Sequence, residues 1–278
     1  MSFGQVEGFF VDVCVLLPHP TDSLTQSCST FLKENAARCI LSSSVKTEAI
    51  SLIENSYNII VSDLRSKLKP FLEKQGVKEL SKRHGKLMAQ FFMERRRELK
   101  KVSKSSIQRD MIGAIENYVA SRLHSLKHGE RIIVDNFLAS LIAELTMKKH
   151  TLQAPFRGIK VVEITPDASI VSQIVLRTLI TNQEDVKHLA SALTYQFQRN
   201  KWVIFVTTDE TEILSKESEL FNTFALQCSS PAWASDYYTE MTRLKTPIEY
   251  FREINNYSLE QKEFASVIER TMGIKLMR

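Results

Sequence analysis

Short apolar runs alternate with longer segments of helical periodicity at both ends of the chain. Runs of this kind are typical of buried parallel strands, and they occur at residues 9–17, 38–43, 158–167, 201–209 and 224–230. The first strand is expected to end at Asp12 and the turn that follows it. Amphipathic segments separate the strands, at residues 21–34, 45–57, 168–180, 185–199 and about 210–220. This order predicts an α/β fold with a central parallel sheet and right-handed crossover connections.

The middle of the chain has a different pattern. Residues 58–157 contain no convincing strand pattern, and their apolar positions recur at helical spacing in three segments, around residues 87–92, 111–123 and 137–145. Residues 240–278 also have a helical pattern without a strand signal. The sequence therefore predicts a discontinuous α/β domain at 1–57 and 158–239, a basic helical insertion at 58–157 and a helical tail at 240–278.

Charge is distributed unevenly along these segments. The chain of 278 residues has a net charge of +5, yet residues 65–157 carry 21 Lys and Arg against 9 Asp and Glu, and the remainder carries 16 against 23. Such a separation fits a protein that holds a cation in one region and an anionic polymer along another. The densest basic stretch is RRRELKKVSK, and its cations are the candidates for contacts with phosphate groups: Arg95, Arg96, Arg97, Lys100 and Lys101.

Composition narrows the protein class further. Hydrophobic residues make up 43% of the chain, enough for a large core. The apolar run near the N-terminus is interrupted by Asp12 and stopped by Pro18, and it lacks the basic flank of a secretory signal. We therefore expect a cytoplasmic protein without a membrane partner. The cysteines form no CxxC pair, which favours free thiols: Cys14, Cys28, Cys39 and Cys228.

Four acidic residues fall where a parallel sheet would bring them together. Asp12 and Asp209 follow apolar strands, and Glu48 and Asp185 lie near the starts of helices. Ligands of such sheets bind beyond the carboxyl ends of the strands, which is the edge that these positions share. Carboxylates that meet at one point raise one another's pKa, and a divalent cation usually accounts for the cluster. We therefore predict a metal site at this edge, and a metal-dependent hydrolase.

Other acidic residues compete for these roles. Glu184 adjoins Asp185, Glu54 follows Glu48 on the same helix, and Asp209 also has the position of a helix cap. Glu210 and Glu212 are either outer-sphere groups or surface charges. Among other residue types, His188 is expected to pack or to donate a hydrogen bond, and Trp202 and Trp233 are expected in the core.

Four segments, in this order, resemble the signature segments of PIN-domain nucleases: VDVCVLL, SSSVKTEAISLIE, EDVKHLASAL and WVIFVTTDETEIL. FALQCSS followed by Pro231 is similar to the fifth strand of that family. The resemblance covers about residues 1–57 and 158–235. It implies a three-layer α/β/α domain in which one or two Mg²⁺ or Mn²⁺ ions are bound by acidic residues at the matching positions: Asp12, Glu48, Asp185 and Asp209.

The resemblance also implies an activity. Members of the family cleave single-stranded or structured RNA, and sometimes DNA flaps. Thr207 matches the family's hydroxyl beside the last acid, whereas Val13 and Cys14 follow the first acid where many members have Ser, Thr or Asn. We expect a metal-dependent endoribonuclease that uses a metal-activated water and binds RNA. The alternative is an inactive PIN-fold protein that binds RNA or assembles complexes, with a homodimer or protein partner at the insertion or tail.

Overall fold

The computed structural model of the protein describes residues 6–17, 22–102, 106–166, 168–178, 180–255 and 266. Its chain forms two units. The first is drawn from Met1–Leu16, Gln26–Glu48 and Gly158–Arg278, and the second from Leu17–Thr25 and Ala49–Arg157. The second unit thus begins earlier along the chain than the insertion expected at 58–157.

The strands and helices have the following bounds. The strands are β1 (Val6–Val11), β2 (Cys39–Ser42), β3 (Glu79–Leu80), β4 (Ile132–Ile133), β5 (Lys160–Val162), β6 (Trp202–Val206) and β7 (Gln227–Ser229). The helices are α1 (Val13–Leu16), α2 (Asp22–Asn35), α3 (Ser43–Asp63), α4 (Lys69–Lys74), α5 (Gly85–Val102), α6 (Ser106–His124), α7 (Val134–Gln153), α8 (Ala168–Thr178), α9 (Gln183–Arg199), α10 (Glu217–Phe224), α11 (Ala234–Met241) and α12 (Pro247–Asn255). Five residues of π-helix, Leu64–Leu68, join α3 to α4, and short 3₁₀ turns occupy Ala36–Arg38, Lys82–His84, Ala154–Arg157 and Leu214–Lys216.

The first unit is built on a five-stranded sheet in the order β5-β2-β1-β6-β7. Every neighbouring pair in it is parallel, and helices flank the sheet. Strand β6 is buried along its whole length, as is most of β1, because a central parallel strand is covered on both faces. The predicted α/β fold class, with a parallel sheet between helical layers, is confirmed.

Glycine at position 8 allows two segments of this sheet to approach each other closely. The pairing of β1 with β6 shifts register between Val6 and Gly8, and Gly8 has a φ of +158°. A Cβ atom at this position would lie 2.1 Å from the carbonyl oxygen of Arg38. No side chain fits there, so the position requires glycine.

Side-chain hydrogen bonds define the ends of two strands. The first strand ends at Val11, one residue before the predicted end at Asp12, and the Asp12 carboxylate accepts a hydrogen bond from the amide of Val13, where α1 begins. Strand β2 ends at Ser42, which caps α3 because its hydroxyl accepts a hydrogen bond from the Val45 amide.

The second unit contains helices α4 to α7 and the two-stranded antiparallel ribbon β3–β4. The sequence pattern missed the ribbon because two-residue strands are too short to show an alternation of polar and apolar positions. Buried residues on α5 and α6 form the core of this unit, as their helical spacing indicates: Met88, Phe91, Phe92, Met111, Ile112, Ile115, Val119 and Leu123.

Helix α12 packs against the first unit. The ring of Phe251 lies 5.4 Å from that of Phe197, and the Trp202 indole nitrogen donates to the Lys245 carbonyl oxygen at 2.7 Å. The predicted tail at 240–278 therefore begins as part of the sheet unit, and its residues 256–265 and 267–278 lie outside the described residues. Trp233 is 63% exposed, so its expected place in the core is wrong. None of the helices in the described ranges has the length and apolar character needed to cross a membrane.

Candidate functional site

Asp12 is the buried centre of the acidic site. It follows β1, is 2% exposed, and accepts hydrogen bonds on both carboxylate oxygens. Oδ1 accepts from the Val13 amide at 2.7 Å and from His188 Nδ1 at 3.2 Å. Oδ2 accepts from Thr207 Oγ1 at 2.8 Å and from Cys14 Sγ at 3.1 Å. Burial alone raises the pKa of Asp12, but His188, Cys14 and Thr207 outweigh it and hold the pKa below its usual value.

Cys14, two residues after Asp12, is a hydrogen-bond donor to the Asp12 carboxylate. Burial and the charge of Asp12 raise the pKa of its thiol well above the ordinary value, so the sulfur keeps its proton. It donates that proton to Asp12 and accepts a hydrogen bond from the Thr208 amide at 3.1 Å. The departure in sequence therefore leaves the first carboxylate with a hydrogen-bond donor at this position.

His188 is buried and donates a hydrogen bond to Asp12, as the sequence predicts. It lies on α9, is 1% exposed, and its Nε2 is 3.4 Å from Glu48 Oε2 while its Nδ1 faces Asp12. Burial lowers the pKa of the ring, but hydrogen bonds to Asp12 and Glu48 and their charges raise it to about 10. The ring is therefore an imidazolium at neutral pH and joins two of the predicted acids.

Asp185 has a different environment from Asp12. Asn182 caps α9 by accepting from the Glu184 amide, so Asp185 is not needed as a cap. Its carboxylate accepts no hydrogen bond from the described residues. Burial raises its pKa to about 7, and the charges of Asp12 and Asp209 contribute in the same direction. Asp185 is thus a partly buried carboxylate beside other carboxylates.

Asp209 combines a capping role with a place in the acidic group. Its Oδ1 accepts from the Thr211 amide and hydroxyl, each at 2.9 Å, and from the Glu212 amide at 3.0 Å. Its own amide donates to Thr207 Oγ1 at 3.1 Å, which connects it to the hydroxyl that donates to Asp12. Its Oδ2 receives no hydrogen bond within the described chain and is available to a ligand.

The structure separates the competing acids. Glu54 is exposed and accepts from Gln153 at 3.3 Å, so Glu48 is the acid of α3 that reaches the site. The Glu212 carboxylate accepts from Thr181, whose hydroxyl lies 2.7 Å away, and also from the amide of Asn182, which gives it an anchoring role.

A cation would meet two kinds of donor here. Glu48, Glu184 and His188 have ligand atoms within 4.8 Å of one another. A charged His188 offers no lone pair, however, and Glu184 pairs with Lys187 at 2.7 Å. Asp185 and Asp209 form no ion pair with the described residues, and the charges of Asp12 and Asp209 act on Asp185, although these three acids do not form a group within 4.8 Å. A set of carboxylate oxygens fits a hard cation such as Mg²⁺ or Mn²⁺.

The basic candidates of the insertion are partly engaged in ion pairs. Arg95 pairs with Asp63, which is 7% exposed, and Arg96 pairs with the buried Glu116. Arg97 is exposed and forms no ion pair with any residue in the described ranges. The side chains of two further candidates lie outside the described residues: Lys100 and Lys101. Contact of these cations with nucleic acid stays a prediction.

No protein-family model, curated protein or solved structure matches this chain. The resemblance to PIN domains therefore stays a prediction from the sequence.

Proposed function

We propose that the protein is a metal-dependent nuclease that hydrolyses phosphodiester bonds in RNA. The observation that carries the proposal is Asp185, a partly buried carboxylate without a hydrogen-bond donor among the described residues, beside Asp12 and Asp209. Such an arrangement costs folding stability, because burial and like charges both disfavour the ionised form. A bound cation at the carboxyl edge of the sheet would offset that cost, and this would explain why the carboxylates lie near one another.

Each residue has a separate part in this proposal. Asp185 and Asp209 would hold the cation. Asp12, whose two oxygens already accept four hydrogen bonds, would add its negative charge beside them. His188 holds the Asp12 carboxylate in position through its Nδ1 atom, and its Nε2 atom faces the Glu48 carboxylate. A bound Mg²⁺ or Mn²⁺ supplies a water of lowered pKa and stabilises the charge that develops on the phosphate.

Two further observations favour RNA as the substrate. The insertion is strongly basic, with 21 Lys and Arg against 9 Asp and Glu between residues 65 and 157, and such charge attracts a polyanion. The resemblance to PIN domains, most of which act on RNA, covers the segments that carry the acids. The oxygen donors, moreover, are of the kind used by enzymes that cleave phosphodiesters.

Asp185→Asn gives the sharpest test. The amide has the same shape as the carboxylate but lacks its charge, and no hydrogen bond with the described residues is lost. We expect Mn²⁺-dependent or Mg²⁺-dependent cleavage of a labelled single-stranded RNA to fall at least about 100-fold, as in EDTA. The thermal midpoint should stay the same or rise, since a repulsive charge has been removed.

Glu210→Gln is the matched control, because Glu210 is exposed and lies next to Asp209 in the same turn. It should cleave like the unaltered protein. Cleavage that survives both EDTA and Asp185→Asn would contradict the proposal. The alternative of an RNA-binding or assembly protein predicts RNA binding without cleavage. It also predicts no calorimetric binding of Mn²⁺ at millimolar concentration.

A further inference from the structure

The two-stranded ribbon of the second unit brings basic residues from distant parts of the sequence to one place. Leu80 of β3 pairs with Ile132 of β4 in antiparallel register. The chain that leaves β3 therefore lies opposite the chain that enters β4. A pocket of about 410 Å³ lies at this end of the ribbon, and six residues line it: Ser81, Lys82, Arg83, His128, Gly129 and Arg131.

Local hydrogen bonds hold the two sides of the pocket in position. His84 Nδ1 accepts from the Ser81 amide at 3.0 Å, which closes the 3₁₀ turn that carries Lys82 and Arg83. Burial lowers the pKa of His84, and the neighbouring Arg83 adds to the effect, so the ring is neutral and can accept. On the other side, Gly129 has a φ of +83°, a conformation that favours glycine in a tight turn.

The lining is cationic and contains no carboxylate. Lys82 and Arg83 are exposed, and no carboxylate of the described residues lies within 4.0 Å of their charged groups. Arg131 faces Glu79 at 3.6 Å, but both side chains are largely exposed, so solvent weakens this pair. His128 adds a ring that can donate a hydrogen bond.

The cations of the pocket differ from those of the basic stretch of α5 in whether acidic residues pair with them. Arg95 and Arg96 are paired with buried acids, whereas the cations of the pocket lack such partners within the described chain, Arg131 excepted. Converging cations without acidic partners repel one another and are stabilised by an anion. The fork of an arginine matches the geometry of phosphate oxygens.

We propose that this pocket binds the phosphate group of a nucleotide. Its volume lies within the range of sites for small organic ligands, so it leaves room for a nucleoside beside the phosphate. The nucleotide is either free or the terminal nucleotide of an RNA strand, and both present the same phosphate ester. The inference goes beyond the proposed nuclease function, because binding here needs neither Asp185 nor a metal ion.

The experiment uses the whole chain in EDTA, where metal-dependent cleavage cannot occur, and reads binding alone. The probes are AMP and an eight-nucleotide RNA with a 3′-fluorescein, with and without a 5′-phosphate. Affinity is measured by calorimetry and by fluorescence anisotropy. Arg83→Ala combined with Arg131→Ala should weaken binding of the phosphorylated probe at least about 10-fold, and should lower the salt slope by roughly 1 to 2.

Lys74→Ala combined with Lys86→Ala is the matched control, since it removes two exposed cations that do not line the pocket. It should weaken binding less than about 3-fold, because the two substitutions only reduce the overall positive potential of the protein surface. A loss confined to AMP and the 5′-phosphorylated RNA identifies a pocket for a nucleotide end. A loss for both RNA probes without binding of AMP identifies a phosphate within a strand.

The first of these two patterns supports the proposal, and the second, which indicates a phosphate diester within a strand, would overturn it. Equal losses in the pocket pair and the control pair would overturn it, and so would unchanged binding in both. Circular dichroism and the thermal midpoint report whether each variant is folded. Lys82→Gln, which breaks no ion pair in the described chain, provides a second pocket variant with the same expected direction.

Discussion

The charged ring of His188 makes the stability of this protein depend on pH. Its pKa is about 10 in the folded chain and about 6.5 when the chain is unfolded. A raised folded pKa means that the folded state keeps a proton that the unfolded state releases. The stability that the ring contributes is therefore fully present below pH 6.5 and is lost as the pH rises towards 10. The slope is about 1.4 kcal/mol for each pH unit between these limits.

His188→Gln isolates this contribution. At pH 7 the variant leaves the buried Asp12 carboxylate without its cationic partner, which costs about 3 to 5 kcal/mol. The deficit should shrink with rising pH, because the unaltered protein loses the benefit of its proton while the variant has none to lose. Between pH 7 and pH 9 the gap in unfolding free energy should close by roughly 3 kcal/mol.

Urea unfolding in EDTA at pH 7, 8 and 9 measures the difference in unfolding free energy between each variant and the unaltered protein. Comparing two variants at each pH cancels the titration of groups on which His188 has no effect, such as Cys28 and Cys39. His150→Gln is the control, since His150 is exposed on α7, and its gap should stay within about 0.5 kcal/mol. A gap for His188→Gln that stays constant between pH 7 and pH 9 would refute the assignment of an imidazolium.

Two further predictions concern the fold. Arg95→Ala removes one of two cationic partners of the buried Asp63, which keeps Lys67 at 3.4 Å, and should lower the free energy of urea unfolding by about 2 kcal/mol, whereas Arg97→Ala should change it by less than about 0.5 kcal/mol. Equal effects would contradict a structural role for Arg95. Gly8→Ala places a Cβ against a backbone carbonyl 2.1 Å away and should cost about 3 kcal/mol or more in the same assay. Gly76→Ala, at a φ of +69° with open space around it, should cost only about 1 kcal/mol, and a similar cost at both positions would contradict the clash.

The sequence carried enough information for the sheet because buried strands leave a strong pattern. The run around Trp202–Val206 is apolar at every position, and the structure buries every one of those residues. The ribbon strand Ile132–Ile133 could not be predicted, since two residues define no period and adjoin a helix that is also apolar. Trp233 was misjudged for a related reason, because a single aromatic residue in a turn carries no periodicity.

The positions of the acidic site residues could be predicted from the sequence, but the ion pairs that they form could not. Topology alone places the residues that follow β1 and β6 at one edge, so Asp12 and Asp209 could be named from order along the chain. The role of His188 depends on the direction of a side chain from α9 and on the burial of its carboxylate partner. Neither is encoded in spacing, although its place three residues after Asp185, on the same face of a helix, was a usable signal.

The charge balance of the site limits how a cation can enter it. The single charge of His188 offsets only one of the two carboxylates that it joins, Asp12 and Glu48, whereas Asp185 and Asp209 form no ion pair within the described chain. A second divalent ion at Glu48 would face the imidazolium at close range and would have to displace its proton. The energetic cost of removing that proton at neutral pH is large, because the pKa of the ring is about 10. The arrangement therefore favours one cation over two, held at the end of the site that has no positive charge of its own.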